Sequence, residues 1–133
     1  MNELTVEAKL ENMDAVLDFV DGRLGDCPPK IRNQIMIAVD EIFSNIARYA
    51  YNTGGGNATV RVFVGDDITV EFEDDGMPHN PLTADNPDTT LPAEEQKIGG
   101  LGIFIVKNTM DSVEYRREGN KNILAIRKRL AET

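Results

Sequence analysis

The sequence predicts an α+β fold, a two-layer α/β sandwich in which a mostly antiparallel sheet is covered on one face by helices. Three observations point there. Two pairs of segments with period-two apolar alternation are each joined by a short turn rich in Gly, Asp or Asn, the pattern of β-hairpins. The stretch Ile31 to Tyr51 has helical periodicity and an apolar arc wider than a surface helix carries, so it lies against something. The order is strand, helix, helix, two strands, long loop, helix, two strands, which layers helices on a sheet of hairpins within one domain spanning residues 1–133.

Each element has its own reason. Leu4, Val6, Ala8 and Leu10 alternate with Glu3, Thr5, Glu7 and Lys9 as in a half-buried strand. Asn12 is placed to cap a helix with apolar positions Met13, Leu17, Val20 and Leu24, ending near Gly25. Cys27-Pro28-Pro29 breaks that helix and opens the central one, because proline is tolerated in a first turn. At about 100° per residue, Ile35, Ala38, Ile42, Ile46 and Tyr49 form its apolar stripe, widened by Met36, Val39, Phe43 and Ala50. Gln34, Glu41, Asn45 and Arg48 fall on a bordering stripe, while Asp40 and Ser44 turn towards water. The glycine-rich run Asn52 to Asn57 stops the helix.

Strands from Ala58 to Val64 and Ile68 to Asp74 turn at Gly65-Asp66-Asp67. Ile68, Val70 and Phe72 share one side, and the same parity carries Asp74 to that side. From Met77 to Ile98 there are four prolines and no periodicity, which suits a lid, a binding loop or a disordered segment. Gly99-Gly100-Leu101-Gly102 then leads into Ile103, Phe104, Ile105, Val106 and Met110, read as a buried helix. The chain closes with strands Ser112 to Arg117 and Asn122 to Leu130 about Glu118-Gly119-Asn120, and Asn122 shares parity with Leu124 and Ile126.

Composition narrows the functions. Fourteen basic against 23 acidic residues give a net charge of -9, which disfavours a nucleic-acid partner, since phosphate binding needs clustered Lys and Arg. The runs Arg116-Arg117 and Arg127-Lys128-Arg129 fall on predicted strands and read as a solvated face. One cysteine, Cys27, leaves no intrachain disulfide and no cysteine cluster for zinc. No signal-peptide pattern opens the chain and no apolar run is of membrane-spanning length, so the expected location is cytoplasmic, away from the membrane.

The chemistry concentrates in three places. Glu41 and Asn45 put a carboxylate and an amide one helical turn apart at the edge of a core, where a charge needs a partner side chain, a metal or a substrate. Pairing of Glu41 with Arg48 or another neighbour would satisfy it without any function. Asp74, aimed at the core from a strand end, needs a hydrogen-bonding partner; capping of the turn Asp75-Gly76-Met77-Pro78 would supply one. The glycines 99, 100 and 102 before a helix allow close backbone approach and free N–H groups, the requirement for cradling phosphate, although helix packing uses the same letters.

In this order, Glu41-x-x-x-Asn45, Asp74-x-Gly76 and Gly99-Gly100-Leu101-Gly102 resemble the N, G1 and G2 boxes of the GHKL (Bergerat-fold) ATP-binding superfamily. The runs Asn45 to Tyr51, Asp74 to Pro78 and Met110 to Tyr115 look like its anti-sigma-factor serine/threonine kinase branch, over essentially residues 3 to 129. That resemblance implies ATP contacts at Asn45, Arg48, Asp74, Gly76, Met77, Gly100, Leu101, Gly102 and Asn122, Mg²⁺ held by Asn45, and Glu41 as general base. Asp74 matches the carboxylate that receives the adenine amino group. The implied partners are a sigma factor and an anti-sigma-factor antagonist phosphorylated on serine, and the implied assembly is a homodimer. Asn122 stands where many members carry a threonine that holds adenine through water, and Lys97 is the only basic residue of the lid. A non-catalytic module that binds ATP and switches a protein partner through its lid fits the same residues.

Overall fold

Alternation decides the sheet. The computed structural model describes residues 2–51, 55–78, 80 and 102–130. Its elements are β1 (Glu3–Glu7), α1 (Met13–Arg23), α2 (Pro29–Tyr49), β2 (Asn57–Val64), β3 (Asp67–Asp74), a helix α3 over 102–109, β4 (Ser112–Glu118) and β5 (Lys121–Arg129). The strands form one antiparallel sheet in the order β1-β2-β3-β5-β4. The expected two-layer α+β architecture is the observed one. Most of the lid read from Met77 to Ile98, with His79, Lys97, Gly99, Gly100 and Leu101, lies outside the described residues.

Register follows from the buried face. Val62 lies opposite Val70 and Val70 opposite Ile126; one rung along, Val60, Phe72 and Leu124 align. The next rung is Ala58, Asp74 and Asn122, so the hydrophobic row ends in a carboxylate and an amide side by side. A slip of one residue would turn this whole row to water, which is why the pattern specifies the register strongly. Helix α2 lays Ile35, Ala38, Val39, Ile42, Phe43 and Ile46 onto the same core, which Val16 and Val20 of α1 and Val106 and Met110 complete. Phe43 and Phe72 are 0% and 1% exposed, and each such side chain contributes on the order of 2–3 kcal/mol by burial. The opposite face carries an ion-pair ladder in which Arg61 reaches Glu73 at 3.1 Å and Glu71 at 3.4 Å, and Lys121 reaches Glu73 at 3.1 Å.

Four local expectations need correcting. β1 ends at Glu7 and Leu10 is exposed, because the chain reverses there through a 3-10 turn at Leu10–Asn12. Asn12 does not cap α1; its amide donates to the Glu7 carbonyl at 2.8 Å and holds that reversal closed. Ser44 is buried rather than solvated, its hydroxyl donating to the Asp40 carbonyl at 2.6 Å, since the apolar arc of α2 extends past the angle its spacing suggested. Phe104 and Ile105 are exposed, because helical periodicity turns only Ile103, Val106 and Met110 inward.

Candidate functional site

The site begins where α2 runs out. The last carbonyls of a helix have no partner within it, and here the Ala50 carbonyl accepts the Met77 N–H at 3.0 Å. The turn after β3 is thereby fastened to the end of α2, and the fastening is tight. A Cβ on Gly76 would stand 2.1 Å from the Ala50 oxygen and 2.7 Å from its carbonyl carbon, both backbone atoms. The glycine at 76 is therefore required by the helix end itself, a reason additional to the approach of a ligand. Gly76→Ala is expected to cost about 3 kcal/mol and lower the melting temperature by ~10 °C, measured by thermal unfolding.

This clamp sets Asp74. Its Oδ1 accepts the Gly76 N–H and the Asn122 amide, each at 2.9 Å, while Oδ2 accepts no hydrogen bond among the described residues. Asp74 is 6% exposed and lines a cleft. Ile42, Ile46, Phe72 and Leu124 supply apolar walls; Asn45, Asp74, Tyr115 and Asn122 supply its polar groups. The parity of β3 and the spacing on α2 thus converge on one concavity.

Asn45 and Glu41 stand on the α2 side. The Asn45 amide nitrogen donates to the Glu41 carbonyl at 3.1 Å, and its side-chain oxygen accepts nothing among the described residues. Glu41, one turn earlier, is half-buried, and among the described residues its carboxylate makes no ion pair or hydrogen bond. Arg48 is exposed on the last turn of α2, so the direct Glu41–Arg48 ion pair is not formed. Burial raises the Glu41 pKa, the Asp40 charge raises it further, and Arg48 offsets part of this from a distance. Against this carboxylate lies Gly102: a Cβ there would be 1.9 Å from Glu41 Oε2, so the start of the described part of α3 packs on the acid itself. Gly100 and Leu101 are outside the described residues, and Met77, Gly102, Glu41 and Arg48 do not line the cleft.

Three residues escaped the sequence reading. Tyr51, just past α2, places its hydroxyl 2.6 Å from Asp75 Oδ1 and 2.7 Å from the Asn57 carbonyl, and accepts the Asp75 N–H at 3.2 Å. Burial, reinforced by Asp75, pushes the phenol well above its ordinary pKa, so it remains a donor. Tyr51→Phe is expected to lower stability by about 1 kcal/mol, read as a fall in denaturation midpoint, through loss of this tie. On β4, Tyr115 and Arg117 are not a solvated edge. Tyr115 donates its hydroxyl proton to Asn122 Oδ1, and Arg117 donates to the same oxygen at 3.0 Å and to the Gly76 carbonyl at 2.9 Å. The signal was available: Arg117 lies opposite Asn122 and Tyr115 opposite Leu124 across the 119–120 turn, so both share the buried parity.

Comparison with known proteins bears on the family and the fold. Residues 6–128 match the model of the histidine kinase-like ATPase domain. The chain is 31% identical over 128 residues to a protein named serine-protein kinase RsbW from Halalkalibacterium halodurans, covering 87% of this chain and 75% of that one. Among solved structures, the RsbU and RsbW domains of a Mycobacterium tuberculosis protein superpose with a TM-score of 0.66 at 11% identity, over 98% of this chain and 32% of that one. The histidine kinase domain of a blue-light activated kinase from Erythrobacter litoralis gives 0.56 at 21% identity, over 90% of this chain and 58% of that one. This chain thus spans a third of the first structure and less than two thirds of the second, and both likenesses are of fold. No described helix is long and apolar enough to cross a membrane.

Proposed function

The chain belongs to the histidine kinase-like ATPase domain family, and we propose that it is an ATP-dependent protein serine/threonine kinase acting as an anti-sigma regulatory factor. In this reading it binds a sigma factor and phosphorylates a serine on an antagonist that competes for it, as a cytoplasmic homodimer of single ATP-binding domains. The observation that carries it is Glu41: a half-buried carboxylate of raised pKa, unpaired among the described residues, one helical turn from Asn45 at the cleft. A module that merely binds nucleotide has no use for a carboxylate held this way. The 31% identity to a serine-protein kinase supports the same reading.

The roles follow from the groups present. Asp74 Oδ2 accepts the amino group of adenine between the apolar walls. Asn45 would hold Mg²⁺ through its side-chain oxygen, which accepts nothing among the described residues, one hard ligand being enough for an ion that keeps several waters and neutralises nucleotide phosphates when bound. Glu41 takes the proton of the serine hydroxyl as its oxygen attacks the γ-phosphorus, and ADP leaves. Gly100, Leu101 and Gly102 are assigned the phosphate turn, and Arg48 and Met77 the rim.

The test is phosphate transfer. Wild-type protein with Mg-ATP and candidate antagonist proteins is expected to yield a phosphoserine detectable by mass spectrometry, with transfer lost in Glu41→Gln. ATP binding with no transfer to any antagonist would overturn the kinase reading.

A further inference from the structure

We infer that Tyr115 and Arg117 of β4 are positioning residues which, by fixing the orientation of the Asn122 amide, make the cleft selective for a base that presents an amino group over one that presents a carbonyl. The inference rests on the proposed ATP site and assigns its specificity to two β4 residues acting through Asn122, of which Tyr115 also lines the cleft.

An asparagine side chain offers two N–H donors on one side and two oxygen lone pairs on the other, and which side faces where is set by its neighbours. Asn122 is 5% exposed and has neighbours of both kinds. Its oxygen receives the Tyr115 hydroxyl proton and an Arg117 N–H at 3.0 Å. Its nitrogen donates to Asp74 Oδ1 at 2.9 Å and to the Met77 carbonyl at 2.8 Å. Two donors on one atom and two acceptors on the other leave the amide a single favourable orientation. Were it turned over, its oxygen would face the Asp74 carboxylate and its NH₂ would face two donors.

The consequence reaches the cleft through Asp74. With Asn122 locked, Oδ1 is committed to the Gly76 N–H and the Asn122 amide, and among the described residues Oδ2 is the acceptor left for a ligand. A lone carboxylate oxygen accepts from an exocyclic amino group and repels a carbonyl oxygen. Arg117 also donates to the Gly76 carbonyl at 2.9 Å, so one guanidinium fixes both the amide and the turn that supplies the other donor to Oδ1. Threonine at position 122 could not do this, because a hydroxyl rotates to suit either kind of neighbour.

The experiment compares ATP, which presents a 6-amino group beside an acceptor N1, with ITP, which presents a 6-carbonyl beside an N1–H, by titration calorimetry on wild type, Tyr115→Phe, Arg117→Ala and Arg117→Lys. Melting temperature serves as the check on folding. Wild type is expected to prefer ATP strongly. Tyr115→Phe and Arg117→Ala should each weaken ATP by about tenfold with a smaller loss for ITP, so that the ATP/ITP ratio narrows, and Arg117→Lys should recover part of it. A purely structural role would weaken both nucleotides alike, and that outcome, or an unchanged ratio, overturns the inference while the ATP site stands. Failure of wild type to bind ATP overturns the site and this inference together.

Discussion

Asp74→Asn is expected to weaken ATP binding by more than about 100-fold while leaving the protein folded. The replacement has the same shape, and the structure determines how the new amide must sit. The Gly76 N–H and the Asn122 amide both donate to Oδ1 at 2.9 Å, so the asparagine oxygen is drawn to that place and its NH₂ takes the place of Oδ2. Both internal hydrogen bonds survive, and the apo melting temperature should stay close to that of wild type. In the proposed adenine site the variant would present a donor to the incoming amino group, and two donors cannot satisfy one another. The measurement is thermal unfolding with and without Mg-ATP. Nucleotide at about 100 times its dissociation constant adds roughly 2.7 kcal/mol to wild type, a shift of several degrees, nearly all of which should vanish in the variant. Equal shifts in the two proteins would sink the adenine assignment.

What the sequence disclosed about this site was decided by range. Asp74 on the core face, and Asn45 beside it, were legible because strand parity and helical angle are local properties that burial enforces residue by residue. The five strands were legible for the same reason, and the hairpin turns supplied the β2–β3 and β4–β5 pairings, whereas β1–β2 and β3–β5 join strands far apart in sequence. The purpose of Gly76 was half hidden: a G1-type motif accounts for a glycine, but its contact with the Ala50 carbonyl joins residues 26 apart and depends on how α2 meets the sheet. Gly102 against Glu41 is of the same kind, a requirement created by packing. Tyr51 was silent because its partners, Asn57 and Asp75, are brought to it only once the sheet has formed.

Arg117 is the instructive intermediate. Composition assigns a charged pair on an edge strand to solvent, and Arg116, linked to Glu71 and Glu118 on the open face, behaves so. Its neighbour points the other way, and cross-strand register alone would have placed it opposite Asn122. Residue type misled where parity did not.

Glu41→Gln is expected to lower phosphate transfer by about 10²- to 10⁴-fold, the usual worth of a positioned general base, with ATP affinity changed by no more than about twofold. Glutamine is the informative choice because it preserves the contact with Gly102, where truncation to alanine would also leave a gap between α2 and α3. The pH dependence supplies an independent sign. Burial and Asp40 raise the Glu41 pKa above that of a free glutamate, so this carboxyl holds its proton to a higher pH than a free glutamate does. Wild-type transfer should therefore rise with pH through this elevated pKa, and the residual rate of the variant should lose that limb. Stability should move in the opposite direction. A carboxylate whose folded pKa is raised ionises less readily in the native state, so its contribution is fully present below the unfolded pKa and is lost as pH rises through the folded one. Glu41→Gln removes that loss, and at neutral pH the variant should be at least as stable as wild type in denaturant unfolding. A slower enzyme that is no less stable is the signature of a residue kept for chemistry; transfer at the wild-type rate would remove Glu41 from the mechanism.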